Sequence, residues 1–169
     1  MSGAAARSAP WRLVDALLRG WRGLPTIVRC GGVAAVMVFL WWSSSRTPAP
    51  EAPFDPVVAL LGNAAHFVAY FGLSLAAWLA APAVMPSRRL DAVALAVAVA
   101  YGAVDEWHQS WVPGRTASVV DLVTDLFGAA FAVWFVRFRL GGGPASWRRG
   151  AALAVCGAAA ATLATFGPW

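Results

Sequence analysis

The sequence predicts an all-α, polytopic transmembrane helix bundle of about five spans. Three observations carry this. Hydrophobic residues make up 60% of the 169-residue chain and charged ones only 12%, about half the charge of an ordinary soluble domain. The mean hydropathy is +0.64. The apolar residues fall in runs near the roughly 20 residues that a membrane-crossing helix needs. The net charge is +5, but the basic residues are all Arg and sit in blocks beside apolar runs. That is how topology is encoded in membranes, so nucleic acid is rejected as a partner and the lipid bilayer is expected.

Residues 1–23 form a basic N-terminal segment, and residues 24–169 the transmembrane domain. In the segment, Trp11, Val14, Leu18 and Trp21 fall at helical spacing, with Arg12, Asp15, Arg19 and Arg22 between them. This fits an amphipathic helix on the membrane surface, or else a disordered basic tail that includes Arg7. The first span covers about 24–42 and is expected to be an uncleaved anchor, because no convincing small-residue cleavage site follows it. Trp41 and Trp42 suit the interfacial belt. Residues 43–56, rich in Ser and Pro, form a loop.

The second span runs from Pro56 to about Ala81, with Asp55 as N-cap and Pro56 as first helical residue. Pro82 and Pro86 break it, and Arg88 and Arg89 mark a basic loop. The third span covers about 90–109. Val112-Pro113-Gly114-Arg115 follows, and Pro then Gly suits a type II turn, whose third position needs positive φ. The fourth span covers about 117–136, with capping-box-like spacing at Ser118 and Asp121. A Gly-rich loop at 141–143 lies between Arg137, Arg139 and Arg148, Arg149. A short, Ala-rich fifth span covers about 150–166.

Arg is abundant before the first span and in loops two and four. Loop one has Arg46 and loop three Arg115. That alternation predicts a cytoplasmic N-terminus, with loops one and three and the C-terminus outside. Cys30 and Cys156 lack metal-ligand spacing and are expected to be small packing residues near cytoplasmic helix ends.

Of the eight acidic residues, Asp105, Glu106, Asp121 and Asp125 crowd into one stretch, and His66, His108, Gln109 and Arg115 join them. Ionisable groups within spans read as functional by default. At the standard helical rise, His66 lies about 14 Å below the outer end of its helix and Asp125 about 12 Å below its own. They are therefore expected to meet at one level. Asn63, His66 and Tyr70 share one face, as do Asp105 and Gln109, with Tyr101 beneath. Asp121 and Asp125, one turn apart, repel each other. Arg115, a shared proton or a bound cation must compensate. Asp121 also suits a helix cap, and Arg115 a headgroup-level turn. His108 and Gln109 also suit ordinary surface positions. Asp125 lies past the first turn, where capping no longer explains it and burial is costly. Taken together, the cluster also fits a structural polar knot between helices.

The run Asp105-Glu106-Trp107-His108-Gln109-Ser110-Trp111-Val112-Pro113-Gly114-Arg115-Thr116, then Asp121 and Asp125-Leu126-Phe127-Gly128, resembles the VanZ-like family. His66-Phe67-Val68-Ala69-Tyr70-Phe71 resembles that family's other motif. The resemblance covers about residues 60–135. It implies a small bacterial inner-membrane protein of the cell envelope, with a role like that of the member tied to teicoplanin resistance. The positions that match are His66, Tyr70, Asp105, Glu106, Gln109, Arg115, Asp121 and Asp125. The chain departs where family members often place an acid or amide and then Lys before the His: Gly62 and Asn63 stand there.

Three functions are expected from this site. The first is binding or modification of a lipid-linked phosphate at the outer leaflet, with Arg115 on the phosphate, the acids and His66 orienting the headgroup, and Tyr70, Asp105 and Gln109 as further substrate-binding residues. The second is an intramembrane hydrolase or transferase on a phospholipid or polyprenyl phosphate. There His66 or Glu106 acts as general base, Asp121 and Asp125 take part, and the last two are the candidates for a divalent metal. The third is proton or ion translocation. No nucleotide loop, haem motif or Cys cluster appears, so no common cofactor is implied.

Overall fold

The computed structural model describes residues 9–47, 55–140 and 146–167. Arg7, most of the Pro-rich part of loop one and the glycines at 141–143 lie outside the described residues. The described chain is helical: α1 (Ala9–Arg22), α2 (Thr26–Ser44), α3 (Pro56–Ala80), α4 (Ser87–Gln109), α5 (Val119–Leu140) and α6 (Trp147–Phe166).

Local chemistry sets the helix ends. Asp55 Oδ1 accepts from Val57 N (2.8 Å) and Val58 N (3.2 Å), with Pro56 opening α3. Ser118 Oγ accepts from Val120 N (3.2 Å) and Asp121 N (3.3 Å) at the start of α5. Both arrangements satisfy amides that have no partner within the helix. Between α4 and α5, Arg115 N donates to Val112 O at 3.1 Å. Gly114 has φ 78° there, the left-handed conformation that glycine adopts without steric cost.

Four helices, α2, α3, α5 and α6, are long and apolar enough to cross a membrane, and the chain is a multi-pass membrane protein. The expected third span is α4. It has 23 residues, enough to cross, but Arg88, Arg89, Asp91, Asp105 and Glu106 near its ends lower its apolarity. The outer surface carries Ile27, Val38, Val57, Leu61, Val68 and Val155, all exposed, as a lipid-facing surface requires.

The centre of the bundle is the α3–α5 pair. α6 packs on both of these helices, α4 packs on both as well, and α2 lies against α3 and α4. A Cβ at Gly128 would overlap the backbone of Phe67, so α3 and α5 approach to backbone distance, as small residues permit between membrane helices.

The structure corrects several expectations. α2 continues to Ser44, so Ser43 and Ser44 are helical and not part of a loop. α5 continues to Leu140, because the two arginines assigned to the next loop have partners in the bundle. Arg137 pairs with Asp91, with its shorter contact at 2.6 Å, and Arg139 pairs with Asp15 at 2.8 Å. Residues 9–22 form a helix, and Asp15, placed between the apolar positions, is buried against the bundle. Arg139 also donates to Trp11 O. Trp11 and Trp21 are exposed, whereas Leu18 is buried. Both cysteines are free and exposed, so neither packs in the core, and Cys156 lies midway along α6.

Candidate functional site

The site forms where α2 and α4 end and α3 and α5 begin. Capping fixes the depth of its two central groups. α3 starts at Pro56 and carries His66 in its third turn; α5 starts at Val119 and carries Asp125 in its second. His66 Nδ1 and Asp125 Oδ1 lie 3.0 Å apart. Asp125 is 1% exposed and the His66 side chain 18%. Buried carboxylates are tolerated when they are hydrogen-bonded, and here the imidazole supplies that bond. The second oxygen, Oδ2, has no hydrogen-bond partner among the described residues.

Gly102 on α4 makes room for this arrangement. A Cβ there would lie 2.8 Å from Leu122 Cδ1, 3.1 Å from Asp125 Oδ2 and 3.4 Å from Tyr70 Cε1. Tyr70 lies one turn below His66 with its ring nearly parallel, at 4°. It is 1% exposed, and its hydroxyl has no hydrogen-bond partner among the described residues.

The acids divide between two surroundings. Asp105 Oδ2 accepts from Gln109 Nε2 at 3.0 Å, one turn on along α4. Glu106 turns instead toward α5, where its Oε2 accepts from Ser118 N at 2.6 Å. This is a charge-assisted bond at a helix N-terminus, where carboxylates are favoured. Asp121 follows in the first turn of α5. One oxygen each of Asp105, Glu106 and Asp121 is buried without a hydrogen-bond partner among the described residues.

A cavity of about 180 Å³ opens beside this cluster between α2, α3 and α4, lined by Ser43, Ser44, His66, Tyr70, Asp105, Gln109 and Arg115. Glu106, Asp121 and Asp125 are not among its lining residues. His66 therefore borders both: it faces the cavity and bonds Asp125 behind it. Arg115 Nε donates to Arg46 O at 3.1 Å and its second terminal nitrogen to Ser43 O at 3.4 Å. Its hydrogen bonds thus hold the C-terminal carbonyls of α2 and do not pair it with Asp121 or Asp125.

All eight singled-out positions gather at this end of the bundle. Other expected neighbours turn away. Asn63 does not share the face of His66, because its amide donates to Thr165 Oγ1 on α6 at 2.9 Å. Tyr101 donates to Met37 O on α2. His108 stacks on Trp41 with ring centroids 3.7 Å apart, and its Nε2 meets Ser45 Oγ at 2.9 Å. Sequence reasoning missed the contribution of α2. Ser43 and Ser44 line the cavity although their Ser-rich context read as loop.

The VanZ/LLP1 family profile matches residues 25–140, from the start of α2 to the end of α5, so the match includes every residue of the site. No curated protein and no solved structure matches the chain. Carrying the family's profile across most of its length, the chain belongs to the VanZ/LLP1 family.

Proposed function

We propose that this protein acts at the outer face of the bacterial inner membrane, on or with a lipid-linked phosphate of the cell envelope. The observation that carries this reading is a cavity at one end of the bundle where several polar side chains meet an otherwise apolar lining. It is bordered by a guanidinium at Arg115, an amide at Gln109 and an imidazole at His66. Guanidinium suits phosphate oxygens, and a cavity between helices near one membrane surface is reached by a headgroup whose chain stays in lipid. The distribution of Arg supports the orientation. Arg46 and Arg115 stand at the site end, whereas Arg22, Arg29, Arg88, Arg89, Arg137 and Arg139 stand at the other. The richer end is expected to be cytoplasmic, which supports an N-terminus on the inside.

The test is binding of a short-chain polyprenyl phosphate to purified protein in detergent. Saturable binding that weakens at least tenfold in Arg115→Ala supports the reading. No binding to any polyprenyl phosphate or cell-wall lipid precursor overturns it.

The second reading, an intramembrane hydrolase or transferase on the same class of lipid, is favoured by His66. A buried carboxylate engages its Nδ1 while the ring faces the cavity, the arrangement in which a carboxylate orients an imidazole for general-base work. Turnover of a phosphorylated lipid that disappears in His66→Ala tests it. Proton or ion translocation ranks last. Below the His66–Asp125 level the interior is closed by Leu73, Ala98 and Ala129, each at most 1% exposed.

A further inference from the structure

We propose that His66, Glu106 and Asp125, assisted by Asp121, bind one divalent ion of the Mn²⁺ or Zn²⁺ kind. The first ground is convergence. The three residues come from α3, α4 and α5, and one ligand atom of each lies within 4.8 Å of the others. Ligands of an ion bound at about 2.1 Å stand roughly 3–4 Å apart, so closure needs only small side-chain movements. Inward-facing carboxylates and His from separate helices are how bundles build such centres.

The second ground is a surplus of unanswered acceptors. Glu106 Oε1, Asp121 Oδ1 and Asp125 Oδ2 are buried without a hydrogen-bond partner among the described residues, while the other oxygen of Glu106 is fixed by Ser118 N and that of Asp125 by His66. Glu106 is thus held at one oxygen by a group outside the proposed ligand set and is free at the other, as a ligand braced by an outer contact is, and Asp125 keeps Oδ2 free beside its bond to His66. The third ground is independent of the acids. The Tyr70 hydroxyl, on a side chain 1% exposed, also has no partner among the described residues, and its ring borders the space beside Gly102 that Asp125 Oδ2 borders.

Charge points the same way. Asp105, Glu106, Asp121 and Asp125 are all buried, and the guanidinium whose charge reaches Asp121, that of Arg115, spends its hydrogen bonds on backbone carbonyls. Neighbouring carboxylates in a desolvated site require a counter-charge or protons. One imidazole with two or three carboxylates suits Mn²⁺ or Zn²⁺ better than Mg²⁺ or Ca²⁺, which favour all-oxygen sets. His66 also lines the cavity, so an ion held there would have an open side toward a phosphate. That last step rests on the lipid-phosphate reading, but binding of the ion does not.

The test uses purified full-length protein, stripped with chelator and titrated with Mn²⁺ followed by electron paramagnetic resonance, and with Zn²⁺ against a competing dye. One ion per chain is expected. Its affinity should fall at least tenfold in Glu106→Gln and in Asp125→Asn, and should be unchanged in Asp55→Asn, an exposed acid whose capping role Asn preserves. Absence of saturable binding in the wild type overturns the proposal. So does equal binding in Glu106→Gln when circular dichroism and gel filtration show that variant folded. Polyprenyl-phosphate binding measured in parallel, both on ion-loaded protein and with chelator present, separates the two ideas. Ion binding without lipid binding upholds the metal site and removes the lipid reading. Lipid binding without ion binding does the reverse.

Discussion

His66 and Asp125 touch through one bond of 3.0 Å between α3 and α5, and that bond answers one oxygen of a carboxylate that is 1% exposed. It joins the two helices of the bundle's central pair and links the cavity to the acids behind it. Its two partners should therefore be coupled in stability as well as in function.

His66→Ala removes the partner of a buried charge. Such losses cost about 3–5 kcal/mol when the charge stays behind. Thermal unfolding in detergent should show a large drop for His66→Ala and a smaller one for Asp125→Asn, which removes the charge itself. The double variant should be more stable than the sum of the two single effects. Simple additivity would mean that the two side chains do not support each other.

Gly128 tests the helix crossing that brings them together. Gly128→Ala drives a Cβ into the backbone of Phe67, which cannot swing aside as a flexible side chain can. Overpacking of this kind costs about 1–3 kcal/mol. The variant should unfold at lower temperature and should also lose ligand binding, because separation of α3 and α5 lengthens the His66–Asp125 contact. Gly72→Ala meets nothing within 4 Å and should be neutral in both assays.

Arg115 distinguishes a phosphate clamp from a structural brace. It bonds the carbonyls of Arg46 and Ser43. Arg115→Lys keeps the charge and loses the planar fork. Polyprenyl-phosphate affinity should fall at least tenfold in Arg115→Ala and recover in part in Arg115→Lys. If both variants bind lipid like the wild type, the residue serves only to hold the end of α2.

Orientation can be read by cysteine labelling in intact cells. With Cys30 and Cys156 replaced by Ala, a cysteine at Ser110, exposed at the site end, should react with a membrane-impermeant maleimide. One at Ser87, exposed at the opposite end, should react only after permeabilisation. The reverse pattern would place the cavity in the cytoplasm and end the outer-face reading.

What the sequence by itself determined is position along each helix. Asp55 and Ser118 mark where α3 and α5 begin, and the rise per residue is fixed, so the common level of His66 and Asp125 was legible before any contact was known. The Pro113-Gly114 turn was legible for the same reason, since its backbone conformation depends on local residues. What only the tertiary structure decided is direction around each helix and choice of partner. Asn63 and His66 are one turn apart, yet one bonds α6 and the other α5. Glu106 leaves Asp105 for Ser118, and His108 turns to Trp41. A helical period ranks residues by face but does not rotate the helix against its neighbours. That rotation is set by non-local packing, here by Gly128 seated on the Phe67 backbone, and it is shared among helices far apart in the chain.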